Sequence, residues 1–396
     1  MASSLLSRSA RLRVPAQWPA SIHPQVLNET THATPYLLCD LDTVRDRYRR
    51  FTETLPDVRV HYAMKCNSAP EVLTTLAGIG SSFEVASLGE LHMLQAVGVD
   101  AAEVLYSNTV KPPAHVAAAH EAGLWRFAFD SEGELHKLAQ HAPGCSVIVR
   151  LRVDDSASAF PLSRKFGVDV EEATQLMVLA RTLGLVPYGV TFHVGSQCAT
   201  PTAWRQAIAA AGLLMSNLDN RGIRLDMLNL GGGFPARYVD DVPTLDVLAS
   251  TIFAAMGELL PYEPSTVVAE PGRYLAAESA VMVASILGRE VRAGENWLYL
   301  DTGAYHGLIE TQQTVGQWRY PLWSSRADHA SASLLPYIVT GPSCDSSDTM
   351  FVGVMLPAGL DAGDRLYIAS AGAYTLSYAS HFNGFAPPSQ LFIGRR

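Results

Sequence analysis

The sequence predicts an α/β chain, a (β/α)8 barrel followed by a C-terminal all-β domain. Two observations carry this. Between residues 58 and 270, eight short apolar runs are each followed by a segment of helical periodicity, the pattern of βα units and a parallel sheet. Beyond residue 275 the runs stay short and strand-like, and Gly, Pro and Asp break them.

The eight runs fall at 58–64, 82–86, 103–106, 126–129, 146–153, 187–194, 226–230 and 266–270. The first five start about 20 to 25 residues apart and the last three about 40 apart, room for a helix, or a helix and an elaborated loop, between parallel strands. Eight such units close into a barrel. An open doubly wound sheet would be expected to carry a GxGxxG turn after its first strand, whereas the glycine triplet here comes late, at Gly231. Runs at 297–301, 337–340, 351–356 and 365–370 supply the β domain. The expected division is 1–35 as an N-terminal extension with room for a strand that joins the C-terminal sheet, 36–275 as barrel and 276–396 as β domain.

Composition excludes several classes. Of the 396 residues, 48% are hydrophobic and 17% charged, which rules out a disordered or fibrous chain. The net charge of −9, with no basic patch, argues against a nucleic-acid partner. No apolar run approaches the ~20 residues of a bilayer span. Cys39, Cys66, Cys145, Cys198 and Cys344 form no CxxC pair and read as reduced thiols of a cytoplasmic protein. The stretch to Ala20 carries Arg8, Arg11 and Arg13 among serines and reads as a frayed end or an expendable leader.

In such a barrel the working groups gather at the carboxyl ends of the strands. The first run ends in AMKCN, where burial of Lys65 would favour its neutral amine and make it a Schiff-base candidate, although a snorkelling rim lysine looks the same in sequence. The sixth run ends in FHVGS. His193 is either a hydrogen-bonded core group or a ring that lies flat on a planar cofactor, and metal binding is less attractive without a second His or Cys at ligand spacing. Gly231, Gly232 and Gly233 could bring backbone N–H groups to an oxyanion, or simply make a tight turn. Glu270, in EPGR, needs a cationic partner, either a protonated ring nitrogen or Arg273 of its own loop. In the β domain, GPSCDSSD sets Cys344 among acids that favour its thiol form, as a proton donor or as a small buried hydrophobe; GAYT follows at 372–375.

Together these motifs, in this order from about Tyr36 to the end, resemble the pyridoxal-phosphate-dependent decarboxylases of the alanine-racemase-like fold type, and within them the ornithine/lysine decarboxylase group. The resemblance implies that Lys65 carries pyridoxal 5'-phosphate, that His193 stacks on its ring, and that Glu270 pairs with the ring nitrogen. It gives the phosphate to Ser196, Gly231, Gly232, Gly233, Gly272, Arg273 and Tyr374, with Glu84 and Arg150 supporting the cofactor site. Cys344 as proton donor and Asp345 as receptor of the substrate's distal ammonium would enter from the other subunit of a homodimer, with Tyr305 and Phe382 beside them. Glu84 stands where the eukaryotic relatives carry Asp. The aspartate those relatives place after Tyr305 has no counterpart, Glu310 being the only acid between His306 and Tyr320.

The resemblance therefore implies decarboxylation of a basic amino acid, ornithine first and lysine next, to a diamine such as putrescine. The alternatives are a decarboxylase of diaminopimelate, whose enzymes typically carry Glu after the cysteine, or of another amine-bearing amino acid, and a non-catalytic regulator of the antizyme-inhibitor kind.

Overall fold

A computed structural model describes residues 22–314, 317–326 and 328–395. After a short helix at Pro24–Glu29, the chain lays down β1 (Tyr36–Asp40) and enters the barrel. The barrel strands and the inserted pair are β2 (Val58–Ala63), β3 (Ser82–Val85), β4 (Val104–Tyr106), β5 (Arg126–Phe129), β6 (Ser146–Arg150), β7 (Ser158–Phe160), β8 (Val186–Thr191), β9 (Ser196–Cys198), β10 (Met227–Asn229) and β11 (Thr266–Ala269). Eight of them close as β2-β3-β4-β5-β6-β8-β10-β11, and β11 pairs back onto β2 in parallel, Val267 opposite Val58. Each of the eight apolar runs read from the sequence contributes one barrel strand. β7 and β9 are not barrel strands; they form a separate antiparallel pair above it, Phe160 opposite Ser196.

Local chemistry starts the outer helices. Asp40, Ser87, Ser131 and Asp169 each accept a backbone N–H of the first turn they precede, satisfying donors that a helix start leaves orphaned. Leu105, Ile148, Met227 and Val268, with Tyr188 against them, make a small cluster apart from the main core. They come from different strands and fill the barrel's interior, as layered side chains do in this architecture.

The second sheet comprises β12 (Ala280–Arg292), β13 (Glu295–Leu300), β14 (Leu322–Ser324), β15 (Leu334–Thr340), β16 (Thr349–Pro357), β17 (Arg365–Ile368) and β18 (Ser389–Ile393), in the order β14-β17-β12-β13-β15-β16. β1 completes it, antiparallel to β12 and parallel to β18. Tyr36–Asp40, the first residues expected of the barrel, joins this sheet, and among residues 22–35 there is a helix and no strand; residues 1–21, the rest of the expected N-terminal extension, lie outside the described residues. One buried cluster runs from Leu37 through the helices around the barrel to Ala373, so the two parts share a core. No helix among the described residues is long and apolar enough to cross a membrane.

Candidate active site

Strand geometry alone delivers the polar groups. Side chains alternate faces with a period of two, so the residue two positions beyond an inward-facing one also faces inward. Stepping from Leu105, Ile148, Met227 and Val268 gives Ser107, Arg150, Asn229 and Glu270. Ser107, Arg150 and Glu270 line a cavity of about 600 Å³, together with Lys65, Glu84, His193, Ser196, Arg273 and Tyr374. Asn229 lies directly against it, donating from Nδ2 to Glu270 Oε1 at 2.7 Å.

Lys65 sits in the 3-10 turn Met64–Cys66 that ends β2. Asn67 fixes this turn, accepting from Ala69 N at 3.2 Å and donating to Gly372 O at 3.0 Å, so the turn is tied to the β domain. Lys65 Nζ donates to Glu84 Oε2. Burial pulls the ammonium toward neutrality, but Glu84, with Tyr374 and Glu270, outweighs it and the net direction is up. The expectation of a neutral amine is therefore overturned: desolvation operates, yet a carboxylate in contact holds the proton on. Burial pushes Glu84 itself up to about 7, reinforced by Glu270 and opposed by Lys65.

His193 is kept well below its ordinary value by burial and by the nearby charges of Arg150 and Lys65. Its Nδ1 accepts from Gly195 N at 3.0 Å, which leaves the proton of the neutral ring on Nε2. The glycine triplet packs against this loop. A Cβ on Gly231 (φ +63°) would lie 1.9 Å from Phe192 O, and one on Gly232 2.9 Å from His193 Nε2. The triplet thus lets two loops approach each other, the tight-turn alternative of the sequence reading, at the edge of the cavity where the resemblance puts the phosphate. Gly272 does the same beside Cys66, 2.9 Å from its Cβ.

Glu270 is not the partner of Arg273. Its Oε1 accepts from Ser107 Oγ as well as from Asn229, and among the described residues it forms no ion pair. Arg273 is paired instead with Glu310, Nη1 donating to Oε2 at 2.9 Å and Nη2 to Oε1, both side chains 3% accessible. Nη1 also donates to Tyr238 at 2.9 Å and Nε to Ser196 Oγ at 3.1 Å. The rings of Tyr374, Phe160, Trp318 and Tyr238 surround the guanidinium at 4.8 to 5.9 Å. Burial alone would weaken its charge, but Glu310 and Tyr238 hold it firmly protonated. Glu310, the sole acid available to replace the missing anchor after Tyr305, is thereby committed elsewhere.

The β6–β8 connection forms the outer wall, with Phe160, Leu162, Lys165 and Phe166 facing the cavity and Arg150 at 5.0 Å from the Phe166 ring. Tyr374 adopts φ +55°, and its N–H bonds to Cys66 O at 2.8 Å, which places its ring beside Arg273.

Cys344, Asp345, Tyr305 and Phe382 do not line this cavity; they form a second cluster. Tyr305 donates to Asp345 Oδ2 at 3.0 Å and contacts the Ser347 hydroxyl at 2.8 Å, with the Phe382 ring 4.6 Å from its own. Hydrogen bonds from Ser347 and then Tyr305 hold Asp345 below the usual carboxylate range. Cys344 is exposed, not buried, and both its N and Sγ donate to Asn383 Oδ1, at 3.0 and 3.3 Å. Buried Asp348 accepts from Ala304 N at 2.7 Å and Ser343 N at 3.1 Å, locking the GPSCDSSD loop onto the turn that carries Tyr305.

The donor set of the cavity fits pyridoxal phosphate. An amine, a neutral imidazole, a carboxylate with one oxygen engaged by Ser107 and Asn229, and a guanidinium beside a hydroxyl line one open cavity of a size suited to a small cofactor.

Ser107, Asn229, Tyr238, Asn383 and the Arg273–Glu310 pair escaped the sequence reading. Only the first two had a readable signal, the two-residue step at the ends of strands.

Residues 41–277 match the family described as pyridoxal-dependent decarboxylase, pyridoxal binding domain. A lysine/ornithine decarboxylase of Selenomonas ruminantium is 37% identical over 357 residues, 89% of this chain and 88% of that protein. A lysine/ornithine decarboxylase from Vibrio vulnificus complexed with cadaverine superposes with a TM-score of 0.85 at 33% identity, over 94% of this chain and 97% of that one. The arginine decarboxylase of Paramecium bursaria Chlorella virus bound to agmatine gives 0.87 at 28% identity, over 94% and 100%.

Proposed function

Because this chain belongs to the pyridoxal-dependent decarboxylases, a family whose members matched above act on basic amino acids, we propose that it decarboxylates ornithine, and lysine next, to the diamine, as a step of polyamine synthesis. It is a pyridoxal-phosphate-dependent amino-acid decarboxylase. The cofactor, when bound, supplies the electron sink for the pair left by departing CO₂.

The chain's own residues do the rest. Lys65 Nζ would hold the cofactor covalently, and Glu84, in hydrogen-bond contact with that nitrogen, would hold a proton there. The neutral ring of His193 would stack on the cofactor's ring, and Glu270 would pair with its protonated ring nitrogen. Ser196 and Arg273 hold the phosphate. Cys344 Sγ returns a proton to the α-carbon. Asp345 receives the distal ammonium.

The observation that carries the substrate class is the Tyr305–Asp345–Ser347 cluster. A carboxylate kept ionised by three hydrogen bonds, beside a thiol and outside this chain's own cavity, is suited to complete the cavity of a second copy. We therefore place the working site between the subunits of a homodimer. The five free cysteines accord with a cytoplasmic setting.

A panel of ornithine, lysine, arginine and diaminopimelate in both enantiomers, read by amine product, tests the assignment. Ornithine should give the highest kcat/KM, and Asp345→Ala should raise its KM at least tenfold with cofactor content unchanged. Turnover confined to diaminopimelate, or an unaltered KM, would refute it. A chain that takes up no cofactor and yields no amine would be a binder of the antizyme-inhibitor kind.

A further inference from the structure

Every nitrogen of Arg273 has a protein partner: Nε has Ser196, Nη1 has Tyr238 and Glu310, and Nη2 has Glu310. Glu310 and Arg273 both line the cavity. Under the proposed function, on which this inference rests, the same guanidinium holds the cofactor's phosphate. One buried cation then serves two anions. We propose that Glu310 is a positioning residue that weakens the site's hold on phosphate, making the cofactor exchangeable.

The alternative, that Glu310 orients Arg273 and so strengthens the hold, meets a structural objection. Arg273 has holds on its place besides Glu310. Ser196 and Tyr238 still bond it, and four aromatic rings enclose it. Glu310 itself starts the short helix Glu310–Gln313, whose next turn is set by Thr314 Oγ1 bonding to Glu310 O, a backbone contact that survives a change of side chain. What the carboxylate adds at the guanidinium is chiefly negative charge. Near a phosphate held by the same guanidinium that charge is repulsive. Its repulsion acts on the phosphate, the group that unphosphorylated pyridoxal lacks.

Titrating the full-length apo chain with pyridoxal phosphate and, separately, with unphosphorylated pyridoxal tests this, absorbance and tryptophan fluorescence reporting Kd. Glu310→Gln should tighten pyridoxal phosphate by about tenfold, the scale of one nearby charge, and leave pyridoxal unchanged. Glu310→Ala carries the same expectation, so a folding defect in one variant leaves the other to decide. The dissociation constant of inorganic phosphate, read as its competition against unphosphorylated pyridoxal or directly by fluorescence, should fall in the variants as that of pyridoxal phosphate does. Unchanged or weaker binding of pyridoxal phosphate, or equal tightening of pyridoxal, overturns the inference while the decarboxylase reading stands. If the wild-type chain bonds neither compound at Lys65, both fall.

Discussion

Lys65 and Glu84 show how far a residue's chemistry departs from its type. Burial opposes both charges, and each carboxylate or ammonium that stays ionised does so because of the other. The sequence places Lys65 after an apolar run, where desolvation is expected, but does not reveal the carboxylate that reverses its effect, because that contact joins the turn after β2 to the neighbouring strand β3, 19 positions on. The pair has a consequence for the apo chain. An acid whose folded-state pKa is raised, as Glu84's is to about 7, contributes stability below its ordinary value of roughly 4.3, and that contribution is lost as pH rises through the folded value. Lys65→Ala removes the charge that opposes this rise, so the loss should grow and continue above pH 7. We expect the Tm of apo Lys65→Ala to fall below that of the wild type by a margin that widens between pH 5 and 8. Glu84→Gln in the same background should remove the widening. Parallel curves for the single variant and the wild type would disprove the coupling.

Among the elements, the eight barrel strands were legible because most are short, largely apolar runs buried on both faces, the mark of a parallel sheet enclosed by helices, although β8 opens to solvent at its start and β2 exposes Arg59. The β domain was legible only in part. Its longest strand, β12, is buried along its first half and open along its second, so it shows neither clean alternation nor a uniform run. β7, β9 and β14 have three residues each, too few to carry a period. The β7–β9 pair is nevertheless what brings Phe160 over Arg273, and one glycine permits it. Gly98 and Gly195 share φ +85°, but a Cβ on Gly98 meets nothing within 4 Å, whereas one on Gly195 would lie 2.0 Å from Ser158 Oγ. Gly98→Ala should then cost about 1 kcal/mol, the backbone term alone. Gly195→Ala should cost a further ~1–2 kcal/mol as β7 is pushed off β9. Urea midpoints compare the two directly, and the Trp318 ring, 4.9 Å from Phe160, should report the displacement through its fluorescence. Equal midpoints would mean that Ser158 yields without cost and that the pair is not held as closely as the structure indicates.

At the scale of the molecule, a single chain separates its chemistry into two places. The cavity has Lys65, His193, Glu270 and Arg273, while Tyr305, Cys344, Asp345 and Phe382 stand outside its wall. The order and spacing of the motifs could not disclose this division, which only the family resemblance implied, since motifs along a chain say nothing about which copy of the chain they serve. If each cavity is completed by the other subunit, variants with opposite defects must complement. Lys65→Ala destroys the cavity of its own chain but leaves the second cluster intact; Asp345→Ala does the reverse. A symmetric dimer exchanged at random from equal amounts of the two places half the protein in mixed dimers, and each mixed dimer pairs one intact cavity with one intact cluster. Activity should therefore return to about a quarter of the wild-type level, from two preparations that are each impaired, and the recovered activity should follow the square-law dependence on mixing ratio that dimer exchange imposes. Recovery no greater than the sum of the separate activities, with exchange verified by mass or fluorescence, would place both clusters in the service of one chain and require Asp345 to reach the cavity by a movement of its own loop.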